Sequence, residues 1–482
     1  MVSKELVKNE LDKANLAFEK CWLYLCEIKT GKVSKDNLSC LVDFQPRLAE
    51  SLFNLGRLYR EIEQQKKSLI SRKEKLNQNW FRNRMGSLSK YQKTINQAIS
   101  IGKGIGDAFA WFFYQRDRQY LTEHLSQDEI FHFPPGFGGI GELEFVKNIR
   151  ILHGYFILYH GTTNILRLGD ISLIDLENFS VAGVGEIKTD TPVGETLKIS
   201  LIFSGPGICK EKIEKSDLSN GVVRQQQETF LNGFPQKAKD RFERQVKRIT
   251  KSFDKLSVIP DSKISFESHS NIERLDSLFD HVKTGKFTFK ILSEGLAIGV
   301  YKVTTKKFSN NLLKYLNYDL SDKIVGVEKY AMELFLPERT DNSLIVDSLY
   351  YDEDGNTSHL PGMSHLFWWP LKLETIRKIM FQEAIVITLY NPSHLINKFE
   401  LSGFTVNYEA QQKYIAYKSD SEKEFAIEGF SYYMRMIYQY LFNEESIINI
   451  IYEMEQKINK LQLNTSTRID MNIEQKFGNE KI

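Results

Sequence analysis

The sequence has few cysteines and no long apolar run. It contains four cysteines, none of them in a Cys-x-x-Cys pair or near histidines at zinc-ligand spacing. This excludes a zinc finger and a disulfide-stapled domain, and it favours buried thiols in a reducing compartment. The longest apolar runs, such as residues 108–114, are too short to cross a bilayer, and the charged start lacks a secretory signal. We therefore expect a cytoplasmic protein without membrane contact.

Net charge is also nearly absent, since 64 basic and 62 acidic side chains leave a formal charge of +2. A globally basic nucleic-acid-binding protein is not indicated, and any such surface must be a local patch. Aromatic residues, by contrast, are plentiful, with 32 Phe and 22 Tyr, and 41% of the chain is hydrophobic. This composition argues against disorder, and a chain of 482 residues is long enough for several domains.

Changes of pattern along the chain predict three domains and an α+β or α/β fold class. Residues 1–125 carry apolar residues at helical spacing, which predicts an N-terminal helical bundle that could mediate self-association or bind a partner protein. Residues 126–305 mix strand and helix patterns, and residues 306–482 form a C-terminal α/β accessory domain. The glycine-rich run 102–106 lacks the spacing of a phosphate-binding loop and predicts close helix packing instead.

The most informative stretch of the chain is residues 165–189. Its two ends are rich in β-branched and apolar residues and its middle is polar, which predicts two strands joined by a short turn. Side chains alternate along a strand, so Glu186 and Lys188 share one face while Ile187 packs on the other.

A turn near Asn178 places Asp170 almost opposite Glu186. Two carboxylates and the Lys188 ammonium then converge at one place. Carboxylate oxygens suit a hard ion such as Mg²⁺, which can polarise a phosphate and activate a water. The alternative is a surface hairpin with a solvated Glu–Lys pair of little energetic value.

Asp170, followed by Glu186 and Lys188 with one residue between them, resembles the signature of the PD-(D/E)xK nuclease superfamily. The resemblance covers about residues 165–189, with weaker support to 255, and Gly169 stands where the name-giving motif has proline. It implies a restriction-endonuclease-like core with the element order αβββαβ. It also implies that Asp170 and Glu186 hold Mg²⁺ or Mn²⁺ and that Lys188 positions or activates the attacking water.

The same resemblance suggests further site residues. A helix before the core strands often supplies another carboxylate, and here either Glu142 or Glu144 could do so, although acids are common at helix N-termini for dipole reasons. A helix after the three strands is expected at residues 235–255, and strands within 287–303 would complete the sheet. One side of that helix is basic and could contact a DNA backbone or could be an ordinary solvated face: Arg244, Arg248, Lys251 and Lys255.

The resemblance therefore implies a metal-dependent nuclease that hydrolyses DNA phosphodiester bonds, and by analogy a bacterial restriction or anti-phage defence effector. The residues do not distinguish DNA from RNA. Two alternatives stay open. One is a catalytically inactive nucleic-acid-binding or sensing protein on the same fold, and the other is an interaction scaffold built on the N-terminal helices.

Overall fold

The computed structural model shows a mixed helix-and-strand protein whose N-terminal region is helical. The residues it describes are 2–31, 39–127, 137–152, 154–189, 199–204, 262–302, 345–351, 357–409, 413–420, 423–427, 430–460 and 469–476. The chain divides into two compact units, Met1–Ile259 with Ser309–Asn317 and Pro260–Phe308 with Tyr318–Ile482. The predicted boundary near residue 125 therefore lies inside the first unit.

The described helices of the first unit follow the apolar spacing of the sequence. They are α1 (Lys4–Lys29), α2 (Ser39–Val42), α3 (Phe44–Ser71), α4 (Gln78–Tyr114), α5 (Arg118–Leu125) and α6 (Phe137–Asn148). Side-chain caps begin two of them. Ser3 accepts a hydrogen bond from the backbone N of Leu6 at 3.1 Å, and Asn77 accepts one from Trp80 at 3.1 Å.

Helices α1, α3 and α4 pack on one another, and glycines allow α4 to approach its neighbours closely. A Cβ atom at Gly102 would lie 2.7 Å from the Phe18 ring and 2.8 Å from Leu52. A Cβ atom at Gly106 would overlap the carbonyl group of Thr162. The predicted role of the glycine-rich run in close helix packing is thus confirmed.

The expected self-association through the N-terminal helices stays a prediction. The side chains that could serve it are Leu16 and Leu23, two heptad-spaced residues of α1 that are 70% and 53% exposed. Most other apolar residues of α1 are buried within the unit.

The first unit also contains an antiparallel sheet in the order β1-β2-β3-β4-β5. Its strands are β1 (Ile151–Leu152), β2 (Tyr155–Tyr159), β3 (Ile171–Asp175), β4 (Ser180–Thr189) and β5 (Ile199–Ser204). The predicted β3–β4 hairpin and the third strand are confirmed. Gln45 of α3 ties the helices to the sheet, because its side chain donates to Ile157 O at 2.7 Å and accepts from Tyr159 N at 2.6 Å.

The second unit contains three further sheets. Its strands are β6 (Ser262–His269), β7 (Phe287–Ile291), β8 (Leu296–Lys302), β9 (Ile345–Ser348), β10 (Ala384–Tyr390), β11 (Thr405–Glu409), β12 (Lys413–Asp420), β13 (Lys423–Ile427) and β14 (Ile469–Lys476). The sheets have the orders β7-β8-β10-β9, β11-β12-β13 and β14-β6, and β14 and β6 are parallel. The described helices are α7 (Arg274–His281), α8 (Leu373–Met380), α9 (Ser393–Leu401), α10 (Phe430–Tyr440) and α11 (Glu444–Lys460).

The prediction that the last strand pair completes the nuclease sheet was wrong. The hairpin exists, but β8 pairs along its whole length with β10, from Leu296 opposite Tyr390 to Lys302 opposite Ala384. Both strands are almost entirely buried, and β10 is an apolar run that needs a partner on each edge. The hairpin therefore belongs to a separate sheet in the second unit.

Candidate active site

Asp170 is fixed between two strands by its own backbone. Its N–H donates to the carbonyl of Gly185 in β4 at 2.8 Å, and its carbonyl accepts from the N–H of His160, just after β2, at 2.9 Å. Ile171 pairs with Gly185 in the antiparallel register, which brings Asp170 beside Glu186. The position of the aspartate thus follows from the hairpin register and not from its own side chain.

Gly169 turns the chain into this position with a φ of +73°, a conformation that side chains with a Cβ adopt at a cost. A Cβ atom there would lie 2.7 Å from the carbonyl oxygen of Gly185 and 2.8 Å from Val184. Proline has a fixed φ of about −65° and cannot adopt this backbone. The departure from the name-giving proline therefore has a conformational cause.

This turn supports a stability prediction. Gly169→Ala should lower the free energy of unfolding by about 2 kcal/mol or more, because it adds left-handed strain and a contact with fixed backbone. Urea denaturation would measure the change. The matched control is Gly86→Ala in the middle of α4, where a Cβ meets nothing within 4 Å, so alanine should stabilise by about 0.5–1 kcal/mol. Equal stability of Gly169→Ala and wild type would contradict the described turn.

Three carboxyl groups gather around the hairpin, and all are almost fully buried. Asp170 and Glu186 are each 3% exposed and Glu142 is 6% exposed. The Oδ2 of Asp170 accepts from the backbone N–H of Ile187 at 2.6 Å, and the Oε2 of Glu186 lies 3.1 Å from the Nζ of Lys188. The sequence prediction that Asp170, Glu186 and Lys188 come together on the hairpin agrees with this geometry.

Glu142 joins this carboxyl cluster and Glu144 does not. Helix α6 packs closely on the end of β4, since a Cβ atom at Gly141 would overlap the side chain of Thr189. The next residue, Glu142, accepts a hydrogen bond from the hydroxyl of Tyr159. Glu144 instead lies near the Lys147 ammonium at 3.8 Å with about half of its side chain exposed. We call Glu142, Asp170 and Glu186 the carboxyl cluster.

Burial raises the pKa values of two members of the carboxyl cluster, Asp170 and Glu142. Burial raises the pKa of Asp170 well above its usual value, and the charges of Glu186 and Glu142 raise it further, against the opposing effects of Ile187 N–H and Lys188. Burial raises the pKa of Glu142 to about 7, although Tyr159 and Lys188 act in the opposite direction. Such groups either keep a proton at neutral pH or bind a cation that replaces it.

The carboxyl cluster fits a hard divalent cation that keeps much of its water. Within the described ranges, no group of three or more His, Cys, Asp or Glu side chains is arranged to hold a metal ion by itself. Mg²⁺ rarely needs such a cage, because it binds through one or two carboxylates and takes its other ligands from water or substrate phosphates. Asp170 and Glu186 could supply those two carboxylates, because both are buried and the strand register places them side by side.

A buried chain of hydrogen bonds holds the turn before Asp170. His160 Nδ1 contacts Gly169 O at 2.9 Å and its Nε2 contacts Ser172 Oγ at 2.6 Å, while Tyr114 OH lies 2.6 Å from Ser172 and 2.9 Å from His124 Nε2. His124 Nδ1 accepts two backbone N–H groups, so its proton is on Nε2. The only consistent direction therefore runs from His124 through Tyr114, Ser172 and His160 to the carbonyl of Gly169.

The two histidines are positioning residues in their neutral form. Burial lowers the pKa of His160 to about 3, and burial also lowers the pKa of His124 well below its usual value. This agrees with the directions of their hydrogen bonds. The sequence pattern did not single out Tyr114, Tyr159 or Ser172.

The predicted basic helix cannot be placed. Its four cations lie outside the described residues: Arg244, Arg248, Lys251 and Lys255. The nucleic-acid-binding assignment of these side chains therefore stays a prediction.

Comparisons with protein-family models, with curated proteins and with solved structures found no match for this chain. The resemblance to the PD-(D/E)xK superfamily thus depends on the hairpin motif alone. In the part of the chain that the structure describes, no helix combines the length and apolar character needed to cross a membrane.

Proposed function

We propose that this protein is a metal-dependent nuclease that hydrolyses DNA phosphodiester bonds, with the carboxyl cluster and Lys188 as its active site. The observation that carries the proposal is the meeting of two buried carboxylates and one lysine on adjacent positions of a hairpin. Burial raises the pKa values of Asp170 and Glu142, and strongly perturbed pKa values occur preferentially at functional sites. The proposal includes a restriction-endonuclease-like core. It is supported by the consecutive antiparallel strands β3, β4 and β5, which follow α6 after β1 and β2.

Asp170 and Glu186 would hold Mg²⁺ or Mn²⁺, which would polarise the scissile phosphate and lower the pKa of a bound water. The N–H of Ile187 keeps the Asp170 carboxylate oriented through a 2.6 Å hydrogen bond. Lys188, whose side chain is 28% exposed, is the group of the site most accessible to a substrate. Its ammonium can orient the attacking water and stabilise the negative charge that develops on the phosphate.

Glu142 would act beside these residues with a pKa near neutrality. Its carboxyl is held by the Tyr159 hydroxyl, and burial raises its pKa to about 7. A carboxyl group with such a pKa can take up or release a proton at physiological pH. Glu142 could therefore serve as a further cation ligand when ionised or as a proton carrier for the leaving group.

The test is cleavage of supercoiled plasmid DNA and of single-stranded RNA by the purified protein, with Mg²⁺, with Mn²⁺ and with EDTA. We expect metal-dependent conversion of plasmid to nicked or linear forms, and loss of this conversion in EDTA. DNA binding without cleavage under all metal conditions would favour the inactive nucleic-acid-binding alternative. Neither binding nor cleavage of DNA or RNA would favour the scaffold alternative.

A further inference from the structure

A cavity of about 310 Å³ lies between α3, α4 and the turn His160–Thr162, within the first unit. Its volume is at the lower end of the range typical of small-molecule sites. It is separate from the carboxyl cluster, none of whose members line it. The cavity is partly open to solvent, since Asn96 in its lining is exposed and Arg60 is partly exposed, so a ligand could enter it.

The polar lining of the cavity carries positive charge. Lys103, only 4% exposed, and Arg60 both line it. Burial lowers the pKa of Lys103 to about 8 while Asp107 opposes the change, so the ammonium is still mostly protonated at neutral pH. Glu63, the acidic residue of the lining, pairs with Lys67 at 2.8 Å, and Asp107 offsets part of the charge of Lys103. With Arg60, the surroundings of the cavity keep a net positive charge.

The remaining walls of the cavity suit the uncharged part of an organic molecule. Leu52 and Ile99 provide aliphatic surface, and Tyr59 adds an aromatic ring. Gly56, on α3, lines the same cavity, and a Cβ atom there would have only the Arg60 guanidinium as a neighbour, at 3.8 Å. A cationic end with apolar and aromatic walls matches a small molecule that has one anionic group.

We propose that this cavity binds a small organic anion, a phosphate or carboxylate attached to an apolar or aromatic body, with Lys103 and Arg60 contacting the anionic group. Asp107 favours the protonated form of Lys103. The Asp107 carboxylate is itself fixed, because its Oδ1 accepts hydrogen bonds from the backbone N–H groups of Asn164 at 2.6 Å and Ile165 at 3.1 Å. The glycine-rich run of α4 thus contributes a lysine side chain to the site and not a phosphate-binding loop.

The cavity wall is connected to the carboxyl cluster through Tyr159 and His160. Gly161 lines the cavity, and a Cβ atom there would lie 2.6 Å from the ring of Tyr159, whose hydroxyl donates to Glu142. The neighbouring N–H of His160 donates to the carbonyl of Asp170 at 2.9 Å. A ligand that presses on Gly161 would therefore shift two residues of the cluster, which makes the cavity an effector site if the proposed function holds.

Binding is tested with three probes that share one ring: phenyl phosphate, benzoate and uncharged benzyl alcohol. Isothermal titration and thermal shifts of the full-length protein should show saturable binding of the two anions and at least tenfold weaker binding of the alcohol. Lys103→Met should weaken anion binding at least tenfold. Lys93→Met, at an exposed position of the same helix, is the matched control and should bind like wild type.

Gly56→Leu is a second variant that tests ligand binding even if Lys103→Met does not fold. It leaves every charge in place and suits a helix interior, where leucine is favoured over glycine, but its side chain would fill the cavity. It should fold and lose binding of both anions. Absence of saturable binding of either anion to wild type, or unchanged binding to Gly56→Leu, would overturn the proposal.

The effector role has a separate readout. With saturating phenyl phosphate, the rate of metal-dependent plasmid cleavage should change in wild type and stay constant in Gly56→Leu. Bound ligand with no change in cleavage by an active enzyme would refute the coupling. An enzyme that binds the ligand but never cleaves nucleic acid would refute the proposed function and leave the binding site in place.

Discussion

Lys188→Ala should reduce plasmid cleavage by about two to three orders of magnitude or more in a folded protein, because it removes a cationic side chain that would act on the reacting phosphate beside the metal ion. Asp170→Ala and Glu186→Ala should abolish cleavage and also abolish metal binding, since each removes an oxygen ligand. Initial rates of nicking at saturating Mg²⁺ would measure the first effect. Titration with Mn²⁺, followed by electron paramagnetic resonance, would measure the second.

One control variant distinguishes a catalytic lysine from a lysine that only neutralises the charge of Glu186. Lys188→Arg keeps the positive charge near Glu186 but replaces a compact ammonium with a planar guanidinium that cannot lose a proton. We expect it to restore the stability lost in Lys188→Ala without restoring cleavage. Recovery of full activity by arginine would mean that Lys188 acts only through its charge.

Asp175 is the matched carboxylate control. It lies at the end of β3, where its Oδ1 accepts from the N–H of Glu177 at 2.9 Å and its Oδ2 accepts from the side chain of Asn178 at 3.2 Å. These are local turn contacts. Asp175→Ala should cost roughly 1 kcal/mol of stability and leave cleavage and metal binding unchanged. If cleavage depends on Asp175 and not on Asp170, the proposed site is wrong.

Sequence alone could predict the hairpin because its signals are local. Alternating apolar residues and a polar turn define β3 and β4, and strand periodicity then places Glu186 and Lys188 on one face. A turn near Asn178 predicts Asp170 almost opposite Glu186. In the structure this pairing also depends on a register shift between Leu173 and Ile174, without which Asp170 would lie opposite Gly185. The left-handed backbone conformation of Gly169 was not predicted. The name-giving motif has proline at that position, and proline has a negative φ.

Features that depend on distant contacts could not be predicted. The choice between Glu142 and Glu144 is decided by Gly141, which lets α6 approach Thr189 and aims one of two equivalent carboxylates at the site. Tyr159 belongs to a strand that is buried at every position. The strand therefore has no alternation of apolar and polar residues that would have pointed to a polar role for the Tyr159 hydroxyl. The β7–β8 hairpin could be predicted from local sequence. The pairing of β8 with β10 could not, because β10 lies in a distant segment of the chain.

The metal-free protein should become less stable as pH rises through neutrality, because the carboxyl cluster must then ionise while buried. The pKa of Glu142 is raised by burial to about 7 from an ordinary value of 4.5. A group with a raised folded pKa stabilises the fold fully below its unfolded pKa, and this contribution is lost as pH rises through the folded pKa. Asp170, whose pKa is also raised, acts in the same direction.

Glu142→Gln isolates this effect, because glutamine can still accept the hydrogen bond of Tyr159 but cannot ionise. The difference in unfolding free energy between variant and wild type should be near zero below about pH 4.5 and should approach roughly 3 kcal/mol in favour of the variant by pH 8. The buried histidines have lowered pKa values and destabilise the fold below about pH 6.5, but they are common to both proteins and cancel in the difference. Urea denaturation in EDTA at a series of pH values would measure the curve.

Adding Mg²⁺ should reverse the pH trend of the wild type, because the cation takes the place of the protons that the cluster otherwise retains. The rise in melting temperature on addition of Mg²⁺ should therefore grow from pH 6 to pH 8, as mass action requires of a ligand that binds the folded state. Asp170→Asn should be as stable as wild type or more stable at pH 8 without metal, and should gain nothing from Mg²⁺. Equal stabilisation of Asp170→Asn and wild type by Mg²⁺ would place the cation elsewhere and leave the carboxyl cluster as a purely structural feature of the hairpin.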